Sequence, residues 1–101
     1  MKTEGDIAAI RYNLGNRIRV IRGEQNLTQS AFSKMVEINR SYLVDVEHGK
    51  RNVSIDNLIK IAKGLDMTLS ELFEGVDTTI LGRRMPLTQQ LLDEERERKR
   101  P

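Results

Sequence analysis

Apolar residues recur along the chain at spacings of three and four, and up to Gly75 this pattern resolves into five helical segments. Ile7, Ile10, Leu14, Ile18 and Ile21 share one face of a helix predicted to begin near Asp6 and end near Gln25. Gly15 lies inside that helix and weakens it by ~1 kcal/mol relative to Ala, which leaves residues 1–13 as an N-terminal extension or as the first turns of the same helix. Between Leu27 and Gly49 the pattern predicts two short helices around a tight turn. Ala31, Phe32, Met35 and Val36 form the apolar side of the first, Leu43 and Val46 that of the second, and Ile38 plugs the space between them. Thr28 and Asn39 stand where each helix begins, with side-chain oxygens able to accept from the free N–H groups of the first turn. Isolated helices this short do not persist in water, so neighbours must hold them. Gly49 reads as a helix C-cap that requires positive φ.

Ser54 caps a fourth helix with a dense apolar set, Ile55, Leu58, Ile59, Ile61, Ala62 and Leu65, expected at the centre of the core. Thr68-Leu69-Ser70-Glu71 is a capping box that opens a fifth, with Leu69, Leu72 and Phe73 facing inward and Gly75 ending it. The expected architecture is all-α: a compact five-helix domain over residues 14–75 followed by an extension over 76–101. In that extension Val76 to Leu81 has β-branched character, and Gly82 to Pro86 breaks regular structure. Leu87 to Arg100 has helical potential with a thin stripe of Leu87, Leu91 and Leu92. The stripe buries little, so a frayed, soluble tail is favoured over a dimerisation element.

Composition narrows the class. The chain has 101 residues, 38% hydrophobic and 32% charged, with two Tyr, two Phe and no Trp, so its single core must be aliphatic. The lack of cysteine excludes a disulfide framework and thiolate metal sites. No apolar run approaches the roughly 18 residues of a membrane span, and Met1 to Asp6 contains no signal-peptide hydrophobic region, which predicts a cytoplasmic protein without a membrane partner. A formal charge of +2 does not by itself select a nucleic-acid partner. His48 is the single histidine, and no phosphate loop, nucleophile elbow or His-centred triad can be assembled, so neither an enzyme nor a cofactor or metal is expected.

The run Leu27-Thr28-Gln29, Ser33, Val36, Ile38, Asn39-Arg40-Ser41-Tyr42-Leu43 and Val46-Glu47-His48-Gly49-Lys50-Arg51 resembles the helix-turn-helix of the Xre-type, phage-repressor-like DNA-binding family. Leu14, Ile18, Arg19 and Arg22 extend the resemblance upstream, and Ser54 to Leu58, Ile61-Ala62, Gly64-Leu65, Leu69 and Leu72-Phe73 extend it downstream. The Asn39 to Tyr42 and Glu47 to Asn52 segments are similar to the controller proteins of restriction–modification systems, a subgroup of that family. The resemblance implies a repressor-like fold and a transcriptional regulator, a repressor by preference. It also implies a structural ion pair between Arg22 and Glu47, and a Gln29 that binds phosphate while bracing the recognition helix. The family usually places Gly in the turn where this chain has Glu37, and a side chain in a left-handed conformation costs about 1–2 kcal/mol. Arg11 and Arg17 read as solvated helix surface.

A major groove admits one α-helix and is read by side chains near that helix's N-terminus. Arg40, Ser41, Val44 and Asp45 are therefore the candidates for base readout, with Arg40 first because its fork matches guanine O6 and N7. Asp45 is awkward beside phosphates: it either accepts from a cytosine amino group or orients Arg40 or Lys50. Thr28, Gln29, Tyr42, His48, Lys50, Arg51 and Asn52 are the phosphate candidates. One small module makes few contacts, so a homodimer on a repeated duplex operator is expected, with the fifth helix and Val76 to Leu81 preferred as its interface and the Leu87 to Leu92 stripe second. The rival reading is a protein-binding module, such as an antitoxin or a partner-sequestering regulator, kept open by the acids Glu37 and Asp45. A protein partner or inducer is compatible with either.

Overall fold

A computed structural model describes residues 4–76 and 87–98, and among these every regular element is a helix. The order is α1 (Glu4–Glu24), α2 (Gln29–Met35), α3 (Arg40–Glu47), α4 (Ile55–Gly64), α5 (Leu69–Phe73) and α6 (Leu87–Arg98). The five predicted helices are present, and the helical potential after Leu87 is realised as a sixth.

Leu14, Ile18 and Ile21 of α1 are buried, together with Phe32 and Val36 around α2, the plug Ile38, and Leu43 and Val46 of α3. Leu58, Ile61, Ala62 and Leu65 from α4, Leu72 from α5 and Val76 complete the core. α1 runs without interruption through Gly15, and that glycine is what lets α3 approach. A Cβ there would lie 2.8 Å from the carbonyl oxygen of Glu47 and closer still to that of Val46.

Three inter-helix turns share one construction. Asn26, Glu37 and Asp66 adopt φ of 59°, 57° and 60°, and in each case the next residue is apolar and donates its N–H back five positions. Leu27 bonds to the Arg22 carbonyl at 3.1 Å, Ile38 to Ser33 at 2.9 Å and Met67 to Ala62 at 2.9 Å. The residue after that, Thr28, Asn39 or Thr68, is the N-cap of the following helix. A left-handed residue thus ends one helix, an apolar residue anchors the turn, and a capping oxygen starts the next. Glu37 occupies the position at which the family resemblance implied glycine, in the expected left-handed conformation.

Several apolar residues expected inside are not. Met35, Ile55, Ile59 and Phe73 are all exposed, Ile55 most of all at 58%. α4 is amphipathic, but the stripe facing its neighbours is narrower than its apolar set: Leu58, Ile61, Ala62 and Leu65 fill it, and Ile55 and Ile59 fall at its edge. Conversely Val76, expected on a dimer surface, is 8% exposed and closes the core. Residues 77–81, the rest of that expected surface, lie outside the described residues. In α6, Leu91 and Leu92 are about half exposed. Arg17, expected as solvated surface, is half-buried and ties α1 to the end of α5, its Nε donating to the Leu72 carbonyl at 3.2 Å and Nη2 to that of Glu71 at 2.9 Å.

Candidate nucleic-acid interface

α3 is short because its sequence supplies both ends. Asn39 Oδ1 accepts from the Tyr42 N–H at 3.2 Å. At the other end Gly49, φ 74°, turns the chain back so that its N–H meets the Val46 carbonyl at 3.0 Å and the Lys50 N–H meets that of Asp45 at 2.8 Å. Between these caps Leu43, Val46 and Glu47 point into the domain. Arg40, Ser41, Val44 and Asp45 line a shallow depression on the outward side. Arg40 and Ser41 are exposed in the first turn, while Val44 and Asp45 are half-buried one turn on.

The inward side is held by a polar cluster. Arg22 Nε and Nη2 donate to the two Glu47 carboxylate oxygens at 2.7 and 2.9 Å, and Arg22 Nη1 donates to the Leu27 carbonyl at 2.6 Å. Gln29 Nε2 adds a bond to Glu47 Oε1 at 3.0 Å. Glu47 is 1% exposed in its side chain and Arg22 12%, so the pair is desolvated and its geometry is two-pronged. The Glu47 carboxylate therefore ties α1 and α2 to the end of α3, and the Arg22 guanidinium adds the turn before α2. No buried side-chain nitrogen or oxygen among the described residues lacks a partner.

The remaining candidates surround this helix. Thr28 Oγ1 caps α2 by accepting from the Ala31 N–H at 3.0 Å. His48 is the exposed C-cap residue of α3, and Lys50, Arg51 and Asn52 follow it in an exposed segment. Tyr42 is half-buried against the core, and the Arg51 guanidinium lies over its ring, 5.5 Å from the centre. Asp45 binds neither of the partners considered from sequence, Arg40 or Lys50, through its carboxylate. Its Oδ2 accepts from Arg51 Nε at 3.2 Å. Gln25, read from sequence only as the end of the first helix, donates from Nε2 to the Leu65 carbonyl at 3.0 Å and so finishes α4. Nothing in the local sequence marks that contact, or the one made by Arg17, because each joins residues 40 or more positions apart.

Comparison with known proteins places this geometry. Residues 18–72 match the helix-turn-helix model HTH_3. Control protein C.MunI of Mycoplasma sp is 42% identical over 69 residues, spanning 67% of this chain and 93% of the relative. The controller protein C.AhdI of Aeromonas hydrophila superposes with a TM-score of 0.61 at 38% identity, over 62% of this chain and 96% of that one. The C.Esp1396I controller tetramer, solved in complex with its natural 35 base-pair operator, gives a TM-score of 0.62 at 29% identity, over 71% of this chain and 95% of that one.

Proposed function

The chain belongs to the HTH_3 helix-turn-helix family, and from that premise we propose that it is a sequence-specific duplex-DNA-binding regulator of the controller type, acting as a homodimer on an operator. The observation that carries this reading is the outward face of α3. Arg40, Ser41, Val44 and Asp45 line it on a helix whose opposite face is fixed by the Arg22–Glu47–Gln29 cluster. A helix held rigidly while its first turns stay exposed can enter a major groove without reordering. Arg40 is assigned to guanine, with Ser41 and Val44 reading neighbouring base edges. Thr28, Gln29, Tyr42, His48, Lys50, Arg51 and Asn52 are assigned to the phosphate backbone that fixes register. A regulator of this kind meets its operator in the cytoplasm and catalyses no reaction, a reading supported by membership of a helix-turn-helix regulator family. No helix among the described residues is long and apolar enough to cross a membrane.

Selection of bound duplexes from a random pool, followed by band-shift titration of the winner over a salt series, tests the reading. An inverted repeat whose affinity falls steeply with salt is expected. Arg40→Ala relaxes preference at one position per half-site, whereas Lys50→Ala weakens all duplexes alike and reduces the salt slope by about one. A pool that returns no enriched sequence favours the protein-binding alternative instead.

A further inference from the structure

We propose that Asp45 is a positioning residue for Arg51, and that the two form, with Tyr42, a second base-reading unit directed at a guanine rather than at a phosphate. The proposal rests on the DNA-binding reading above.

Three constraints converge on the Arg51 guanidinium. The left-handed Gly49 turn and the Lys50 N–H to Asp45 carbonyl bond of 2.8 Å fold the chain back along α3. The guanidinium carbon lies over the Tyr42 ring, 5.5 Å from its centre, which is within cation–π range and holds the group on that side of α3. The Asp45 carboxylate accepts from Nε at 3.2 Å, which restrains the rotation of the guanidinium. Neither partner is buried, with side-chain exposures of 53% for Arg51 and 37% for Asp45, so the pair contributes little to folding. The same Asp45 lines the depression of Arg40, Ser41 and Val44, so the unit borders the outward face of α3.

The chemistry favours a base over a phosphate. Attraction to phosphate depends on net charge, and a carboxylate bonded to the guanidinium cancels most of it while itself repelling the backbone. Recognition of guanine depends instead on a planar fork presented at a fixed angle to O6 and N7. With Nε engaged, both Nη amino groups of Arg51 remain as a parallel donor pair. Asp45 thus trades backbone affinity for discrimination. Arg51 moves from the phosphate set to the readout set, and Asp45 needs no cytosine partner.

The test uses the full chain and its selected operator, with every single base-pair variant of one half-site in competition band shifts. Circular dichroism checks that each variant folds. Arg51→Ala is expected to abolish a guanine preference at one base pair, a loss of roughly tenfold in discrimination. Arg51→Lys keeps the charge and is expected to lose the same preference while retaining non-specific affinity. Asp45→Ala is expected to reduce discrimination at that same base pair by at least about threefold, to tighten non-specific binding and to steepen the salt slope. The double variant is expected to match Arg51→Ala at that position, with no further loss. Unchanged discrimination at every base pair in Asp45→Ala, with all duplexes bound equally more tightly, overturns the proposal and makes Arg51 a backbone contact. So does Arg51→Lys behaving like wild type. Failure of the underlying reading is seen separately, in the wild-type chain alone, as the absence of any duplex preference, and it removes the proposal with it.

Discussion

Arg22 and Glu47 are joined by two hydrogen bonds of 2.7 and 2.9 Å across 25 positions of sequence, one from α1 and one from the last turn of α3. Removing either partner strands the other in a desolvated site, so Arg22→Met or Glu47→Leu alone is expected to cost about 3–5 kcal/mol. The double variant is expected to recover part of that loss, because two apolar chains need no charge compensation, while the Gln29 amide and the Leu27 carbonyl lose their partners. Urea unfolding of the four proteins measures this directly. Additive losses in the double variant would show that the two side chains are not coupled.

Gly15 sets two rules against each other. Helix propensity alone says that Gly15→Ala should stabilise α1 by ~1 kcal/mol. The backbone oxygens of Val46 and Glu47 occupy the space that the methyl group needs, the latter at 2.8 Å, and backbone cannot rotate aside. We expect the clash to dominate, with a net loss of about 1–3 kcal/mol and a displaced α3. A rise in melting temperature on this substitution would refute the close approach.

At Glu37 the prediction has the opposite sign. Its φ of 57° is costly for a side chain with a Cβ, and it is exposed, so no packing is lost on truncation. Glu37→Gly is expected to stabilise the domain by about 0.5–1 kcal/mol, the relief of strain being partly offset by the greater freedom of glycine in the unfolded chain. Thermal melting at neutral pH checks it.

The capping box of α5 makes stability depend on pH. The Thr68 N–H donates to Glu71 Oε1 at 3.0 Å, and Thr68 Oγ1 accepts from the Glu71 N–H at 3.1 Å. Bonds from the Thr68 backbone and then its side chain hold the Glu71 carboxyl below the usual value. The folded state therefore binds this proton less tightly than the unfolded state. Its stabilising contribution is present above the ordinary Glu range, around pH 4, and is lost as pH falls through the lower folded value. Glu71→Gln removes the titration, and the melting temperature of that variant should fall less steeply than wild type below about pH 5. Parallel acid profiles for the two proteins would remove Glu71 as a source of acid sensitivity.

Ile55 and Ile59 of α4 and Phe73 of α5 are exposed apolar residues on two helices that pack together, and Val76 is withdrawn into the core. The dimer surface is therefore expected on α4 and α5. Ile59→Asp should leave helicity intact while shifting sedimentation toward monomer and weakening operator binding by at least about tenfold. Unchanged sedimentation would move the interface elsewhere.

The sequence by itself determined which segments are helical and where they begin, because both are local. Thr28, Asn39, Ser54 and Thr68 cap the helices from residues three positions away, and Gly49 and Gly75 end them with positive φ. The left-handed Asn26 and Asp66 were not read from sequence; the structure shows each of them preceding an apolar anchor and a Thr cap, the construction repeated around Glu37. The Arg22–Glu47 tie followed from the family resemblance, not from spacing. Tertiary structure alone decided the rest. How far an apolar stripe extends beyond what its neighbours can cover is a property of packing, so Ile55, Ile59, Met35 and Phe73 face solvent while Val76 does not. Gly15, a flaw by helix propensity, became a contact surface only once α3 was laid across it. Whether Asp45 served Arg40, Lys50 or Arg51 depended on the path of the chain after Gly49, and that path is fixed by a backbone bond to Asp45 itself.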